Sequence, residues 1–269
     1  MKVFVISDME GISGIATPAQ TNAGEPLYQE GRKLYTEEIN ATVRGAKAAG
    51  ASEIVVMDCH GAGKGHDFNS LIAEDLDPDC EFVVQEEWTE YTGFLESGAD
   101  AALFVGMHAM AGTRDGVLNH TVSGVDWQNL WFNGTQVGET GINAALCGTW
   151  GCPVLMVTGD EAACREGKDL LGDELTTVRV KQGLAVKSAR MLAPRRAREL
   201  VEAGAKQALA DLKAVPPYDP GKPCEIKVEY KWTQPPSKLR HRAGVELLEP
   251  RLLVSRAENW WTAWKQFFF

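Results

Sequence analysis

The chain has 269 residues, 44% of them hydrophobic and 24% charged, which is ordinary for a soluble globular protein with a full core. Its formal net charge of −10 at pH 7 argues against a nucleic-acid partner, which usually needs a basic face, and no apolar run approaches the roughly 20 residues of a membrane span. Because the first residues lack the pattern of a signal peptide and the six cysteines are scattered without a disulfide framework, the sequence predicts a cytoplasmic protein.

The first predicted element is a buried strand over residues 3–6, and two carboxylates, Asp8 and Glu10, follow it at once. In open α/β sheets ligands bind at the carboxyl ends of the strands, and residues i and i+2 of an extended segment point the same way. The pattern therefore aims both carboxylates at one spot. A loop over residues 16–27 and a helix from about residue 26 to residue 49 are expected next.

Ligand-type residues recur where later strands end. A second buried strand over residues 52–57 leads to His60, and a strong apolar strand over residues 101–106 leads to His108. Residues 81–85 are a further candidate strand between them. Strands that alternate with helices predict a mostly parallel sheet with right-handed crossovers.

His120 lies within an apolar, strand-like run at residues 117–122 rather than at the end of a strand. It is either a core histidine or a catalytic acid, base or nucleophile beside a metal. An Asn-Gly pair predicts a tight hairpin over residues 131–137, after which a helix begins near Glu139, where the helix dipole favours a carboxylate. A buried strand over residues 153–157 follows.

Two neighbours of His60 are less informative. Asp58 could fix a histidine tautomer from behind, and side-chain alternation points Cys59 away from the site, so Cys59 is not a candidate nucleophile. The glycine loop at residues 61–65 resembles a dinucleotide-binding fingerprint only superficially, because it lacks the final spacing of that motif.

The second half of the chain differs, because ligand-type residues no longer recur at strand ends after about residue 168. We therefore expect an α/β metal-binding catalytic domain over residues 1–167, with a mostly parallel central sheet and helices on both faces. A smaller α+β region over residues 168–269 would serve the substrate pocket or oligomer contacts. Within it, strands are expected at residues 224–230 and 252–254. The aromatic side chains of a helix over residues 259–269 should be buried against this chain or another copy.

Five candidate metal ligands come from four separate places in the chain: Asp8, Glu10, His60, His108 and Glu139. Histidine and carboxylate together suit zinc or a similar transition metal. The set exceeds the need of one tetrahedral ion, and two metals bridged by one carboxylate would explain the excess. Taken one at a time, each residue is better explained as an ordinary loop carboxylate or a satisfied histidine, and the recurrence of histidines at strand ends is what favours a metal site.

Five motifs stand in order along the chain: SDMEGISG at 7–14, DCHG at 58–61, GMHA at 106–109, NHT at 119–121 and VGETGINA at 137–144. In order and spacing they resemble the DppA-like D-aminopeptidases, a family of di-zinc metallopeptidases. The resemblance implies that the five candidate ligands bind two zinc ions, with Asp8 between them, and that His120 is a catalytic nucleophile or base. It also implies ring-shaped homo-oligomers, typically decamers, whose sites face an inner chamber.

The sequence thus predicts a zinc-dependent aminopeptidase that hydrolyses the N-terminal residue of short peptides, with D-residues implied by the resemblance alone. Two other classes stay open. One is a di-metal phosphoesterase, for which Lys64 and Arg114 could hold a phosphate, and the other is a non-catalytic oligomeric module that binds a metal or a nucleotide.

Overall fold

Two β-sheets organise the protein in a computed structural model that describes residues 1–85 and 92–268, of which Phe268 is described by its backbone alone. The strands, in chain order, are β1 (Lys2–Ser7), β2 (Glu53–Asp58), β3 (Glu81–Val83), β4 (Ala101–Met107), β5 (Trp127–Phe132), β6 (Thr135–Val137), β7 (Val154–Asp160), β8 (Thr176–Ala185), β9 (Ser188–Met191), β10 (Cys224–Tyr230), β11 (Val245–Glu249) and β12 (Leu252–Ala257). The α-helices are α1 (Pro18–Thr21), α2 (Tyr28–Ala48), α3 (Gly93–Glu96), α4 (Glu139–Thr149), α5 (Glu161–Leu171), α6 (Pro194–Ala208), α7 (Gln234–Leu239) and α8 (Trp260–Phe268), and a 3-10 turn spans Ala73–Asp75.

The larger sheet has seven strands in the order β3-β2-β1-β4-β7-β8-β9, and all except β9 run parallel. Its central strands are apolar on both faces, and residues 3–6 of β1 are fully buried. Helix α2 packs against α6, and α4 packs against α5. Right-handed crossovers that run in opposite directions along a sheet place their helices on opposite faces of it. This confirms the predicted mostly parallel sheet covered by helices.

The order of the strands reverses beside β1. From β1 the chain adds β2 and β3 on one side and then returns to place β4 on the other. A reversal of this kind opens a crevice at the carboxyl ends of the two central strands, which is where α/β sheets bind ligands.

The smaller sheet is antiparallel, in the order β11-β12-β10-β5-β6. The predicted Asn-Gly hairpin is confirmed between β5 and β6, where Asn133 and Gly134 both have left-handed backbone angles, with φ of 46° and 86°. Helix α8 packs on β10 and β12 of this sheet. The smaller sheet therefore combines strands from the middle and from the second half of the chain.

The expected burial of the aromatic helix is met within this chain for Trp260, Trp264 and Phe267, which are at most 5% exposed. The ring of Trp260 lies 5.7 Å from that of Phe132 on β5 and 5.4 Å from that of Trp264. Phe269, the last aromatic residue of the predicted helix, lies outside the described residues. The aromatic cluster is thus the core that joins α8 to the smaller sheet.

One predicted element is wrong. Residues 117–122 form no strand but a loop of consecutive turns, in which Leu118 and Val122 have left-handed φ angles of 53° and 58°. Two residues hold this loop in place. The side chain of Val117 is fully buried, and the N–H of Leu118 donates to the carbonyl of Val186, which follows β8. The apolar pattern that indicates a strand here therefore combines a buried residue, Val117, with Val122, which is 41% exposed.

The division at residue 167 stays a prediction. The larger sheet takes β8 and β9 from beyond that residue, and the smaller sheet takes β5 and β6 from before it. Among the described helices, none is both long enough and apolar enough to cross a bilayer.

Replacing Trp260 with alanine should lower the free energy of unfolding by about 3–5 kcal/mol, because a large buried side chain leaves a cavity between α8 and β5. Urea denaturation, followed by far-ultraviolet circular dichroism of the backbone rather than by tryptophan fluorescence, measures the loss of stability. Trp232→Ala is the matched control, since Trp232 is 60% exposed and its loss should cost about 1 kcal/mol or less. Equal effects of the two substitutions would contradict the burial of α8 against the smaller sheet.

Candidate metal centre

The crevice beside β1 collects the residues predicted from the strand ends. Asp8 and Glu10 follow β1, His60 follows β2 and His108 follows β4, so all four come from adjacent parallel strands. Glu139 joins them as the first residue of α4, after the N-cap Gly138. The structure therefore brings all five predicted ligands to one place.

Two glycines allow the ends of β1 and β4 to approach closely. The N–H of Gly11 donates to the carbonyl of Gly106 at 2.7 Å, and the N–H of Asp8 donates to the carbonyl of Val105 at 2.8 Å. A Cβ atom on Gly11 would lie 2.1 Å from the carbonyl oxygen of Met107, and one on Gly106 would lie 2.1 Å from that of Asp8. Since neither distance is possible, only glycine fits at both positions.

Asp8 turns one carboxylate oxygen towards each of two histidines. Its Oδ1 lies 3.4 Å from Nδ1 of His60, and the same nitrogen lies 3.1 Å from Oε2 of Glu10. Its Oδ2 lies 3.2 Å from Nε2 of His108, which in turn lies 3.3 Å from Oε1 of Glu139. The centre thus has two halves, each with one histidine and one carboxylate of its own, joined by Asp8.

The backbone fixes which nitrogen of each histidine faces this centre. Nε2–H of His60 donates to the carbonyl of Thr21 at 2.9 Å, and Nδ1–H of His108 donates to the carbonyl of Ala109 at 3.0 Å. A carbonyl oxygen can only accept, so these nitrogens carry the protons. The other nitrogen of each ring is left to face the carboxylates, which is the arrangement that metal-binding histidines use.

Burial makes the charges of this centre depend on one another. Burial disfavours a charged Asp8, yet His108 and His60 outweigh it and hold the pKa of Asp8 well below its usual value. Burial also disfavours charged histidines, but Glu10 and Asp8 raise the pKa of His60, and Glu139 and Asp8 raise that of His108, well above the usual value. The buried carboxylates are therefore stabilised by positive charge placed between them.

The donor set fits a cation. Three buried atoms have no hydrogen-bond partner among the described residues, although they point at one another: Oδ2 of Asp8, Oε2 of Glu10 and Nε2 of His108. Unpartnered buried polar atoms are costly, and imidazole nitrogen with carboxylate oxygen is the set that zinc prefers. Protons on the two imidazole rings or metal ions would supply this charge, and either would give these atoms a partner.

His120 stands at the edge of the centre. Its Nδ1–H donates to the carbonyl of Leu118 at 2.9 Å, which leaves Nε2 to face Oε1 of Glu139 at 3.7 Å. Its ring stacks on that of His108 with 4.1 Å between the centroids and 18° between the planes. His120 is thus held beside the His108 half, with a free nitrogen that neither Asp8 nor Glu10 approaches.

A cavity of about 290 Å³ opens in front of these residues. Its lining combines the proposed site residues with apolar side chains, which are Phe68, Val122, Ile142 and Trp264. Trp264 comes from α8, so the aromatic C-terminal helix forms part of the wall of the candidate site.

Two predictions about the neighbours of His60 are wrong. Asp58 does not reach the imidazole: its Oδ1 accepts the backbone N–H of His60 and the hydroxyl of Tyr35, both at 3.0 Å, so it orders the loop after β2. Cys59 contributes to the cavity wall rather than pointing away, because β2 ends at Asp58 and strand alternation no longer applies. Burial and the nearby carboxylates raise the pKa of the Cys59 thiol well above its usual value, which leaves it a poor nucleophile.

Sequence reasoning missed Lys181, which lies on β8 and is 2% exposed. Its Nζ donates to the carbonyls of Glu10, Ile12 and Ile15, at 2.9 Å and 2.6 Å for the last two, and so fixes the loop that carries Glu10. Burial lowers its pKa to about 8. No sequence signal marks it, because the register of β8 shifts opposite Asp160 and turns inward a lysine that alternation would place in solvent.

Three comparisons place this geometry among known proteins. The sequence profile of the M55 peptidases, described as D-aminopeptidase, matches residues 1–269. A D-aminopeptidase of Bacillus subtilis (strain 168) is 33% identical over 233 residues, which are 86% of this chain and 81% of that protein. A solved structure described as the zinc-dependent D-aminopeptidase DppA from Bacillus subtilis, a self-compartmentalizing protease, superposes with a TM-score of 0.89 at 28% identity. That match covers 99% of this chain and 95% of the other.

Glu38 supports the same loop as Lys181 and generates a prediction about pH. Its Oε2 accepts the N–H of Ser13 at 3.2 Å, and burial raises its pKa from 4.5 to about 7. A carboxyl with a raised native pKa stabilises the fold while it is protonated, and that contribution is lost as the pH rises from about 4.5 through 7. The free energy of unfolding of Glu38→Gln minus that of the parent chain should therefore increase by up to about 3 kcal/mol from pH 5 to pH 8.

Urea denaturation at pH 5, 6, 7 and 8 measures this difference, and Glu37→Gln is the control because Glu37 lies at the surface. A difference that does not change with pH would show that Glu38 is not the buried acid described.

Proposed function

The chain belongs to the D-aminopeptidase family, and from that membership we propose that it holds two zinc ions and removes the N-terminal residue, preferably a D-residue, from short peptides. The observation that carries the proposal is the carboxylate of Asp8, which serves two histidine–carboxylate pairs at once. A single tetrahedral ion would not need this arrangement.

In this proposal each half of the centre holds one ion. Glu10 and His60 would hold one ion, His108 and Glu139 would hold the other, and the carboxylate of Asp8 would serve both. The solved relative described as zinc-dependent supports the choice of metal. When bound, the ions supply Lewis acidity towards the peptide carbonyl and towards water.

His120 moves the proton. Because its Nδ1–H is bonded to the carbonyl of Leu118, Nε2 is free to accept a proton from the attacking water. The same nitrogen then gives the proton to the amine that leaves when the C–N bond breaks. Stacking on His108 keeps the ring beside the His108 half while the proton moves.

The cavity suits a short peptide. Its volume of about 290 Å³ is at the lower end of ligand pockets, and its walls offer apolar surface to a small side chain. The free amine and the adjacent carbonyl of the same residue would both be held at the paired ions, which selects the N-terminal residue of a peptide. The preference for the D-configuration is supported by the family and its relatives rather than by any contact in the cavity.

The two other classes are not favoured. A phosphoesterase needs cations that hold the phosphate, but the described residues that line the cavity include no lysine or arginine, and neither Lys64 nor Arg114 is among them. A non-catalytic module would have no use for His120 at the edge of the centre. Both alternatives also disagree with the family of the chain.

We propose further that the chain works as a cytoplasmic homo-oligomer, in which a decamer encloses the sites. The self-compartmentalizing relative supports an assembly, and the six cysteines, all free, suit a reducing compartment.

Metal analysis tests the two halves separately. Protein purified gently should contain close to two zinc ions per chain. Asp8→Ala should lose both, because each half depends on it, whereas Glu10→Ala should keep about one. His120→Ala is the control that should keep both ions while turnover falls by about 10²–10⁴-fold, the usual worth of general acid–base catalysis.

A zinc content near zero, together with activity that chelators do not affect, would contradict the proposed centre. Loss of zinc in His120→Ala would instead make His120 a ligand.

Matched dipeptides test the substrate. D-Alanyl dipeptides should be cleaved with a higher kcat/KM than their L-alanyl counterparts by protein treated with a chelator and then restored with zinc. The p-nitroanilide of D-alanine should be cleaved and p-nitrophenyl phosphate should not. A clear preference for L-alanine would remove the D-specificity and leave the aminopeptidase, whereas cleavage of the phosphate ester alone would favour a phosphoesterase.

A further inference from the structure

Asn143 lies one helical turn beyond Glu139 on α4, on the same face of the helix. It is 6% exposed and lines the cavity together with Glu139 and His120. Asn143 is thus a buried polar residue placed beside the half of the centre where His120 would move the proton.

The side-chain amide of Asn143 makes no hydrogen bond to any residue that the structure describes. Among the described residues, the fully buried side-chain atoms that lack a partner do not include those of Asn143, so its amide group is accessible from the cavity. Apolar side chains fill neighbouring positions of the same helix, since Ile142 is 8% exposed and Ala144 and Ala145 are buried. An amide in this setting is explained by a ligand that enters the cavity.

The cavity contains many acceptors and few available donors. Asp8, Glu10 and Glu139 offer carboxylate oxygens, while the ring N–H groups of His60 and His120 are already bonded to backbone carbonyls. A peptide brings a carbonyl oxygen with two lone pairs. One of them stays available to a hydrogen-bond donor even where a bound ion polarises the carbonyl.

We propose that Asn143 is a further catalytic residue, whose Nδ2 donates a hydrogen bond to the carbonyl oxygen of the bond that is cleaved. The proposal rests on the proposed aminopeptidase function. The oxygen gains negative charge when water attacks the carbonyl carbon, so the hydrogen bond strengthens in the transition state and raises kcat rather than lowering KM. A donor fixed by a buried helix needs little reorganisation at that moment.

Three substitutions test the donor, all in zinc-restored protein. Asn143→Leu and Asn143→Ala remove the donor, and Asn143→Asp keeps the shape but leaves only acceptors. Each should lower kcat for D-alanyl dipeptides by about 10²–10³-fold with KM changed far less, as expected for one donor to a developing oxyanion. Asn129→Leu is the matched control, because Asn129 lies on β5, bonds to Glu229 and does not line the cavity; its kcat should be unchanged.

Two further measurements separate catalysis from folding and metal binding. Zinc content should stay at two ions per chain in every variant, and the Tm of Asn143→Leu should be close to that of the parent, because the amide makes no hydrogen bond that the substitution would remove. Loss of zinc or a lower Tm in all three variants would make Asn143 structural and overturn the proposal. An unchanged kcat, or a rise in KM alone, would overturn it as well.

Binding of a D-alanyl phosphinic dipeptide, a tetrahedral analogue of the transition state, gives a readout that does not need turnover. Calorimetry should show weaker binding by Asn143→Leu than by the parent, by a factor similar to the loss of kcat. If the parent cleaves no peptide, the aminopeptidase proposal fails, and the role of Asn143 is still decided by this measurement. Equal binding by parent and variant would overturn it.

Discussion

The close approach of β1 to β4 is the constraint on which the candidate centre depends. A hydrogen bond from Gly11 to Gly106 pins the two strand ends together, and no side chain fits between them. Asp8 therefore lies between the residues that follow the neighbouring strands, with one oxygen for His60 and the other for His108. The reversal of strand order at β1 supplies the crevice, and the glycines make it narrow enough for one carboxylate to serve both sides.

Hydrogen bonds to the backbone fix the loops that carry the buried charged residues of the centre. Lys181 fixes three carbonyls of the loop after β1, and Asp58 orders the loop after β2, so the ligands themselves need no side-chain support from one another. Backbone carbonyls hold the histidines, and the first residue of a helix supplies Glu139. The scaffold thus orients each proposed ligand through the backbone and leaves the side-chain atoms for the cation.

The sequence was sufficient for the parts of the fold that local pattern determines. Apolar runs ending in His60 and His108 are strand ends in any parallel sheet, and Asn133-Gly134 requires a tight hairpin. Lys181 was beyond reach because a register shift between two strands decides which face it takes. The loop of His120 was misjudged for a similar reason, since contacts with residues far along the chain decide its left-handed angles.

The contribution of Trp264 to the cavity also has a consequence for the order in which the site is assembled during synthesis. Every proposed zinc ligand lies at or before Glu139, and Trp264 follows Glu139 by 125 positions. At ribosomal rates of roughly 5–20 residues per second, that gap lasts roughly 6–25 s. The nascent chain therefore contains all five proposed ligands before the residue that completes the apolar wall of the cavity has been synthesised.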